Sequence, residues 1–329
     1  MKIGIIHNRP IPQGEPNWES SLDVLVQVEA IASALSELGQ PFSAIPFDRD
    51  LVAFVTRLHQ EEIVAAFNLC ESVDEDPLLI GHPAAVMELL GLPFTGSSAM
   101  ALTVTTDKAL VKRVMQASGI PTPAFFLYEG GPVALPPGLV FPLLMKPRWQ
   151  DASIGIDQES LLLSPTGIEP RLAEYFVRFG PLVVEEYLEG REFNVSLLGH
   201  PQPQVLPLAE IDYTGYPADL FRIVGYRAKW NEESPEYHTT NRLFPDLPTA
   251  LASELRQVAA TCFQLFDLRD YGRVDMRLDG QGRVQVLELN ANPCLSPDAG
   301  FPAAVAKSGL DYTGMINTLL SQVLMRKAQ

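Results

Sequence analysis

The residues best suited to chemistry in this 329-residue chain lie in one stretch near its end, GRVDMRLDGQGRVQVLELNANP, residues 272–293. Two apolar runs flank DGQG and predict a β-hairpin, yet each run carries polar residues at alternate positions. Arg273, Asp275 and Arg277 share one strand face, with Val274, Met276 and Leu278 on the other. In the return strand Glu288 and Asn290 share a face, opposite Leu287 and Leu289. A four-residue loop over Gly280–Arg283 sets Asp279 against Val284, Asp275 against Glu288 and Arg273 against Asn290. Two carboxylates facing each other across a ladder repel unless a proton or a cation lies between them. Asn290 adds a third hard oxygen, and an all-oxygen set suits magnesium shared with a phosphate rather than zinc. A solvated hairpin face is the competing reading. The apolar VQVLELN run argues for burial, where unpaired acids are costly.

Two other stretches carry similar promise. FPLLMKPRWQDASIGI ends an apolar strand with Lys146 and continues into a loop containing Ser153 and Gly155. A strand-end lysine beside a hydroxyl-bearing flexible loop suits a phosphate clamp, although such a lysine is more often a plain surface residue. VVEEYLEGREFNVSLLG joins two strands through a glycine turn, and its carboxylates could accept hydrogen bonds from an adenine amino group or a ribose hydroxyl.

The rest of the chain must position these residues. KIGIIH, a helix over Leu22–Leu38, EIVAAFNL, and a helix in AAVMELL running into a strand at GLPFTG form a βαβ-type first domain of about a hundred residues. No G-x-G-x-x-G follows the first strand, so a Rossmann reading is weak. DKALVKRVMQASG predicts a further helix ending at glycine, and the prolines of IPTP mark a boundary. Gly130–Gly138 is expected to be a surface loop, FPLLMKP and the two EEYLEGREF strands to share a mixed sheet, and Arg227–Arg242 to be a long functional loop. PTALASELRQVAATCFQLF is a helix before the hairpin, and two closing helices follow Pro297. The net charge of −16 and pI of 4.7 argue against a nucleic-acid partner held through phosphates. Three cysteines without C-x-x-C spacing suit a reducing compartment. No apolar run approaches the roughly 18 residues that span a membrane, and the short apolar start does not make a signal peptide. A cytoplasmic protein is expected.

Taken in order, TTDK (Thr105–Lys108), FPLLMKP with DASIGI, VVEEYLEGREFNV, YRAKW (Tyr226–Trp230), GRVDM and LELNANP resemble the D-alanine–D-alanine ligase group of the ATP-grasp superfamily, over nearly the whole chain. The resemblance implies an α/β ATP-grasp fold with a pre-ATP-grasp domain (1–104), a central subdomain (105–189) and a C-terminal subdomain (190–329). The nucleotide cleft would lie between the last two. It implies an enzyme that phosphorylates a carboxylate with ATP and lets an amine attack the acyl phosphate. Lys108 and Lys146 resemble the lysines that hold ATP phosphates, with Ser153 in the loop beside them. Glu185, Glu186 and Leu188 look like the adenine-facing segment, and Glu192 like the ribose ligand. Asp275, Glu288 and Asn290 match ligands of two Mg2+ ions, with Mn2+ as the alternative. Arg273 matches the arginine at the acyl centre, and Lys229 the loop lysine that closes onto the γ-phosphate. The implied partners are small amino acid or amine substrates. Relatives often form homodimers.

Several positions depart from the family pattern. The family loop G-S-S-x-G is Asp151-Ala152-Ser153-Ile154-Gly155 here, and the usual loop tyrosine or phenylalanine is Trp230. Glu19 is the nearest counterpart of the glutamate that grips the first substrate's ammonium. Asn68 stands at about the place of a histidine, in FNLCESVDED, whose acids could bind an amine or cap a helix. Cys294 replaces the oxyanion-hole glycine, and a passive thiol there is favoured over a nucleophile. Ala299 and Gly300 replace the serine and leucine that hold the second substrate's carboxylate, with Asp298 beside them. The expected activity is therefore a ligase with diverged substrate pockets. A true D-alanine–D-alanine ligase and a non-catalytic ATP-binding module remain the alternatives.

Overall fold

The computed structural model describes residues 2–327. The first part of the chain runs β1 (Lys2–Asn8), α1 (Trp18–Glu37), β2 (Phe42–Phe47), α2 (Leu51–Gln60) and β3 (Ile63–Asn68). Its strands form a parallel sheet in the order β2-β1-β3, as the βαβ pattern predicts. Three helices follow, α3 (Gly81–Leu89), α4 (Ala99–Thr106) and α5 (Lys108–Ala117). The strand expected after α3 shrinks to a single bridge from Phe94 to Ala66. Asp107 caps α5 by accepting from the amides of Ala109 and Leu110, so Lys108 becomes the helix's first residue.

The next elements are β4 (Phe125–Tyr128), β5 (Leu143–Pro147), β6 (Leu161–Leu162), α6 (Ile168–Phe179) and β7 (Leu182–Glu186). Their strands make an antiparallel sheet in the order β4-β7-β5-β6. Then come β8 (Glu192–Leu198), β9 (Gln204–Val205), β10 (Ala209–Asp212), α7 (Tyr226–Trp230), α8 (Pro235–Thr239), β11 (Asn241–Leu243) and α9 (Thr249–Leu265). The hairpin β12 (Tyr271–Leu278) and β13 (Val284–Asn290) precedes the closing helices α10 (Gly300–Lys307) and α11 (Tyr312–Lys327). This third sheet has the order β11-β10-β8-β12-β13, with β9 on β8, and is antiparallel throughout.

Two expectations are corrected here. No mixed sheet joins β5, β7 and β8, because the chain leaves the second sheet after β7 and enters the third at β8. That crossing needs Gly190: a Cβ there would stand 2.2 Å from the carbonyl oxygen of Leu278. The polar stretch 227–242 is not one long loop either. It holds α7, α8 and the start of β11, whose short lengths conceal any periodicity.

The hairpin register is the feature on which the site depends. Asp275 pairs with Glu288 and Arg273 with Asn290, as expected, but by a different route. Leu278, not Asp279, faces Val284, so the connection is one residue longer than predicted. The ladder then slips between Met276, opposite Val286, and Asp275, opposite Glu288, leaving Leu287 as the bulged residue. The two one-residue differences cancel.

Two core clusters tie the first and third sheets together, and the second sheet has a cluster of its own. Ile6, Ile45 and Phe94 from the first part pack in one cluster with Phe193, Val274, Met276 and Phe263. A second cluster joins Ile3, Ile5 and Val28 to Phe301, Ile316 and Leu319, so α11 completes the core of the first sheet. None of the described helices is long and apolar enough to cross a membrane. Asp270, fully buried at the foot of β12, accepts from the Gly96 amide at 2.8 Å and pairs with Arg326 of α11, whose Nη2 also donates to the Phe94 carbonyl. Asp270 has left-handed backbone (φ 66), which asparagine tolerates. Asp270→Asn is expected to cost about 3 kcal/mol in urea unfolding, because it strips Arg326 of its counter-charge. A loss of under about 1 kcal/mol contradicts that role.

Candidate active site

The inner face of the third sheet forms the floor of a cavity of about 420 Å³. Strand alternation delivers Arg273, Asp275 and Arg277 from β12, Glu192 and Asn194 from β8, and Glu288 and Asn290 from β13 to it. Arg273 grips Asp275 through Nε and Nη2 at 2.8 and 2.9 Å, and the Asn194 amide donates to the same carboxylate at 2.7 Å. Glu288, directly across the ladder, meets Lys108 Nζ at 3.1 Å. Burial would raise the Glu288 carboxyl, but Lys108, Lys146 and Lys229 hold it well below the usual carboxylate range. The repulsion expected between facing acids is therefore answered by cations on both sides.

The second wall comes from β5, β7 and α5. Lys146 and Lys112 each approach Glu185 at 2.5 Å, and all three side chains are almost fully buried. Burial lowers the pKa of Lys112, while the two lysines together outweigh burial and keep Glu185 ionised. Lys108 also bonds the Gln150 carbonyl at 2.6 Å and Asp151 at 3.0 Å. The loop it holds bends through left-handed backbone at Ala152 and Ser153 (φ 54 and 62), an uncommon conformation for these residues.

The α7 segment covers the cavity. Trp230 Nε1 donates to the Ala152 carbonyl at 2.9 Å, Ser153 Oγ to the Val224 carbonyl at 2.8 Å, and the Tyr226 amide to the Ile156 carbonyl at 2.8 Å. Tyr226 Oη donates to Glu19 at 3.1 Å, tying this cover to α1. Burial and Glu19 push the Tyr226 phenol up to about 12. Lys229 projects into the cavity, where burial and Arg273 lower its pKa against the pull of Glu288, Asp275 and Asp151.

The first domain closes the far end. Asp23 of α1 accepts from Cys294 Sγ at 2.9 Å and from Ser296 Oγ at 2.8 Å, and Gln27, one turn on, accepts from the Leu295 amide. Burial, then Asp23 and Glu71, drive the Cys294 thiol far above its ordinary pKa, so it is a neutral donor rather than a thiolate. Glu71 lines the same end, its carboxyl pushed up to about 7 by burial, Asp23 and Asp151.

A family model described as "D-ala D-ala ligase C-terminus" matches residues 114–321. The chain belongs to the D-alanine–D-alanine ligase family. It is 31% identical to a D-alanine–D-alanine ligase of Chromohalobacter salexigens over 73% of this chain and 72% of that one. It is 29% identical to that of Moorella thermoacetica over 98% and 99%. An uncharacterised Sinorhizobium fredii protein, y4sG, is 30% identical over 96% and 92%. The D-alanine–D-alanine ligase of Bacillus anthracis, solved with ATP, superposes with a TM-score of 0.76 at 18% identity, covering 100% of this chain and 99% of that one. The fold is therefore that of the ATP-grasp ligases.

Within this family member, the residues singled out from sequence divide cleanly. Lys146, Ser153, Glu192, Lys229, Trp230, Arg273, Asp275, Glu288, Asn290, Cys294 and Asp298 all line the cavity. Lys108 and Glu185 stand behind it, bonded to Glu288 and Lys146. Leu188 lies outside the lining, and Glu186 turns away to accept from the Val140 amide at 2.8 Å. Glu19 meets the covering segment through Tyr226 rather than entering the cavity. Asn68 folds back to accept from the Cys70 amide, and the acid of its segment that reaches the cavity is Glu71.

Asp23 escapes a sequence reading because it lies one helical turn beyond Glu19, and only the packing of α1 decides which turn faces the site. Lys112 does leave a signal: it lies four residues after Lys108, and on an otherwise apolar face of α5 a second lysine points to a buried partner. Arg277 shows in the sequence only as a face-mate of Asp275. It also reaches Glu192 at 3.5 Å and lies over the Tyr187 and Tyr213 rings.

A carboxyl with a raised folded-state pKa takes up a proton on folding, so its stabilising contribution is complete near pH 4 and is lost as pH rises to about 7. Glu71→Gln cannot ionise. Its urea stability relative to the parent is expected to improve by roughly 2 kcal/mol between pH 5 and pH 8. An offset that is the same at both pH values contradicts the assignment.

Proposed function

We propose that the chain is an ATP- and Mg2+-dependent ligase that joins an amino acid carboxylate to an amine through an acyl phosphate. The observation that carries this reading is the convergence of Arg273, Asp275, Glu288 and Asn290 with Lys146 and Lys229 on one cavity. Nucleotide binding alone needs no guanidinium among the candidate metal ligands. Transfer of charge onto an acyl centre does.

Among the described residues no three His, Cys, Asp or Glu side chains come together as a ready-made metal site. The donor set is two facing carboxylates and one amide, which fits Mg2+ ions that complete their shells with phosphate oxygens. Asp275, Glu288 and Asn290 would hold them, and the ions would neutralise phosphate charge. Before nucleotide arrives, Arg273 and Lys108 answer the charge of the two acids.

The chain's own groups then divide the work. Lys146 positions the phosphates, Lys108 holds Glu288 from behind the cavity, and Glu185 and Lys112 fix the direction of Lys146. A substrate carboxylate oxygen attacks the γ-phosphorus and ADP leaves; Lys229, from the cover, balances charge on the group in transit. Arg273 stabilises the oxyanion as the amine adds to the acyl carbon, and inorganic phosphate departs. The Trp230, Ser153 and Tyr226 bonds keep the cover down and water out, which protects the acyl phosphate from hydrolysis.

The proposed site includes Asp23 and Glu71 at the amine-binding end of the first substrate. A D-alanine–D-alanine ligase is the second reading, favoured by the names of relatives at 29% and 31% identity. The altered segment around Cys294, bonded to Asp23, favours other substrates. The three free cysteines support a reducing, cytoplasmic setting.

ADP release from Mg-ATP, measured over D- and L-amino acids singly and in pairs with mass detection of products, tests both readings. A substrate-dependent signal with an amide product is expected, and Asp275→Asn is expected to lower it at least about a hundredfold. D-alanyl-D-alanine from D-alanine alone selects the second reading. An unimpaired Asp275→Asn enzyme contradicts the site.

A further inference from the structure

Helix α5 carries two lysines one turn apart, and they serve different sheets. Lys108 reaches Glu288 of the third sheet at 3.1 Å, whereas Lys112 reaches Glu185 of the second at 2.5 Å. Lys112 is only 1% exposed, and its ammonium has two further neighbours. One is the Phe125 ring, whose centroid lies 5.6 Å from Nζ. The other is Thr122, whose Oγ1 accepts from Nζ at 2.7 Å. Thr122 lies outside the cavity lining and has no place in the mechanism above.

A hydroxyl that accepts from an ammonium still has one proton to give. Thr122 gives it to the Val286 carbonyl at 2.8 Å. The Val286 amide donates in turn to the Pro121 carbonyl, also at 2.8 Å. Pro121 and Thr122 lie between α5 and β4, where the chain enters the second sheet. Both main-chain groups of Val286 are thus held from there. Val286 immediately precedes the bulged Leu287, so these bonds pin β13 where its register slips to set Glu288 opposite Asp275. A line of direct contacts therefore runs from Lys146 through Glu185, Lys112 and Thr122 to the bulge beside Glu288.

The middle of that line controls both ends. Glu185 divides its carboxylate between two lysines, Oε1 to Lys146 and Oε2 to Lys112. While Lys112 holds its half, Lys146 keeps part of its charge for a phosphate. Without the Thr122 hydroxyl, Lys112 is a buried ammonium that has lost an acceptor, a costly state. Moving the ammonium or releasing its proton relieves that cost, and both return the whole carboxylate to Lys146. Lys146 is then drawn back from the cavity. At the other end the Val286 carbonyl loses its partner, and the bulge loses its anchor.

We propose that Thr122 is a positioning residue for the nucleotide: its hydroxyl, accepting from Lys112 and donating to Val286, holds Lys146 and the Asp275–Glu288 pair in one frame. It acts through those groups and touches no substrate itself. The inference rests on the ligase reading above and adds to it a residue that couples the second sheet to the third.

Equilibrium binding of Mg-ATP, followed by calorimetry without any amino acid, tests the frame apart from turnover. Thr122→Val is expected to raise the Kd at least about tenfold, and Thr122→Ser to keep it within about threefold of wild type. Unfolded molecules lower the stoichiometry and leave the Kd in place, so a merely structural role does not give this pattern. Lys112→Met cuts the line on the other side of the hydroxyl and is expected to weaken binding similarly. It decides the matter should Thr122→Val fail to fold. Hydroxylamine trapping, in which enzyme, Mg-ATP and each amino acid of a panel form a hydroxamate, reads the reaction separately. In Thr122→Val the KM of Mg-ATP is expected to rise with the Kd, and the KM of the amino acid to change less than about twofold. An unchanged Kd in Thr122→Val or in Lys112→Met, a Thr122→Ser enzyme no better than Thr122→Val, or equal rises in both KM values overturns the assignment. Hydroxamate formation by the wild type leaves the ligase reading standing in each of those cases. Failure of the wild type to form any hydroxamate overturns that reading, and the role of Thr122 with it.

Discussion

Two carboxylates, Asp275 and Glu288, face each other on neighbouring strands inside a covered cavity, and everything around them exists to make that tolerable. Facing acids in a partly dehydrated site repel strongly unless positive charge is interposed. The fold supplies it from four directions: Arg273 from the same strand, Lys108 from α5, Lys146 from the second sheet and Lys229 from the cover. Under the function proposed above, such a site would exchange one set of counter-charges for another when nucleotide and its cations enter.

The same constraint explains the unusual features of the backbone. The bulge at Leu287 brings Glu288 opposite Asp275. Without it, continuing the ladder from Met276 and Val286 would pair Glu288 with Val274, whose side chain lies on the other face of the sheet. Register and function are thus linked through one unpaired residue. Gly190 lets the chain pass Leu278 closely enough for β8 to pair with β12, which is how Asn194 reaches Asp275. The left-handed pair Ala152 and Ser153 turns a carbonyl toward Trp230, closing the cover on the site.

Much of this is legible in the amino-acid sequence because it depends on local periodicity. Alternation in GRVDM and VLELN puts the right residues on one face, and the short spacing between them leaves few possible registers. The expected register assumes a loop one residue too short and no bulge, and those two errors compensate. What cannot be read depends on contacts between distant segments. Only the packing of α1 shows that Asp23, rather than Glu19, meets Cys294 and Ser296. Asn68 and Glu71 belong to one irregular segment, where no period says which side chain points inward. The split of β7 and β8 between two sheets is hidden because a glycine turn between apolar strands looks the same whether the strands pair or part.

The central claim is that a carboxylate is activated by phosphorylation in this cavity before the amine attacks. The most direct measurement uses a substrate acid labelled with 18O in both carboxylate oxygens, turned over with Mg-ATP and an amine, with the inorganic phosphate recovered for mass analysis. The account predicts one 18O in each phosphate released, because the oxygen bridging carbon and phosphorus departs with phosphorus. Amide formation with unlabelled phosphate would contradict it.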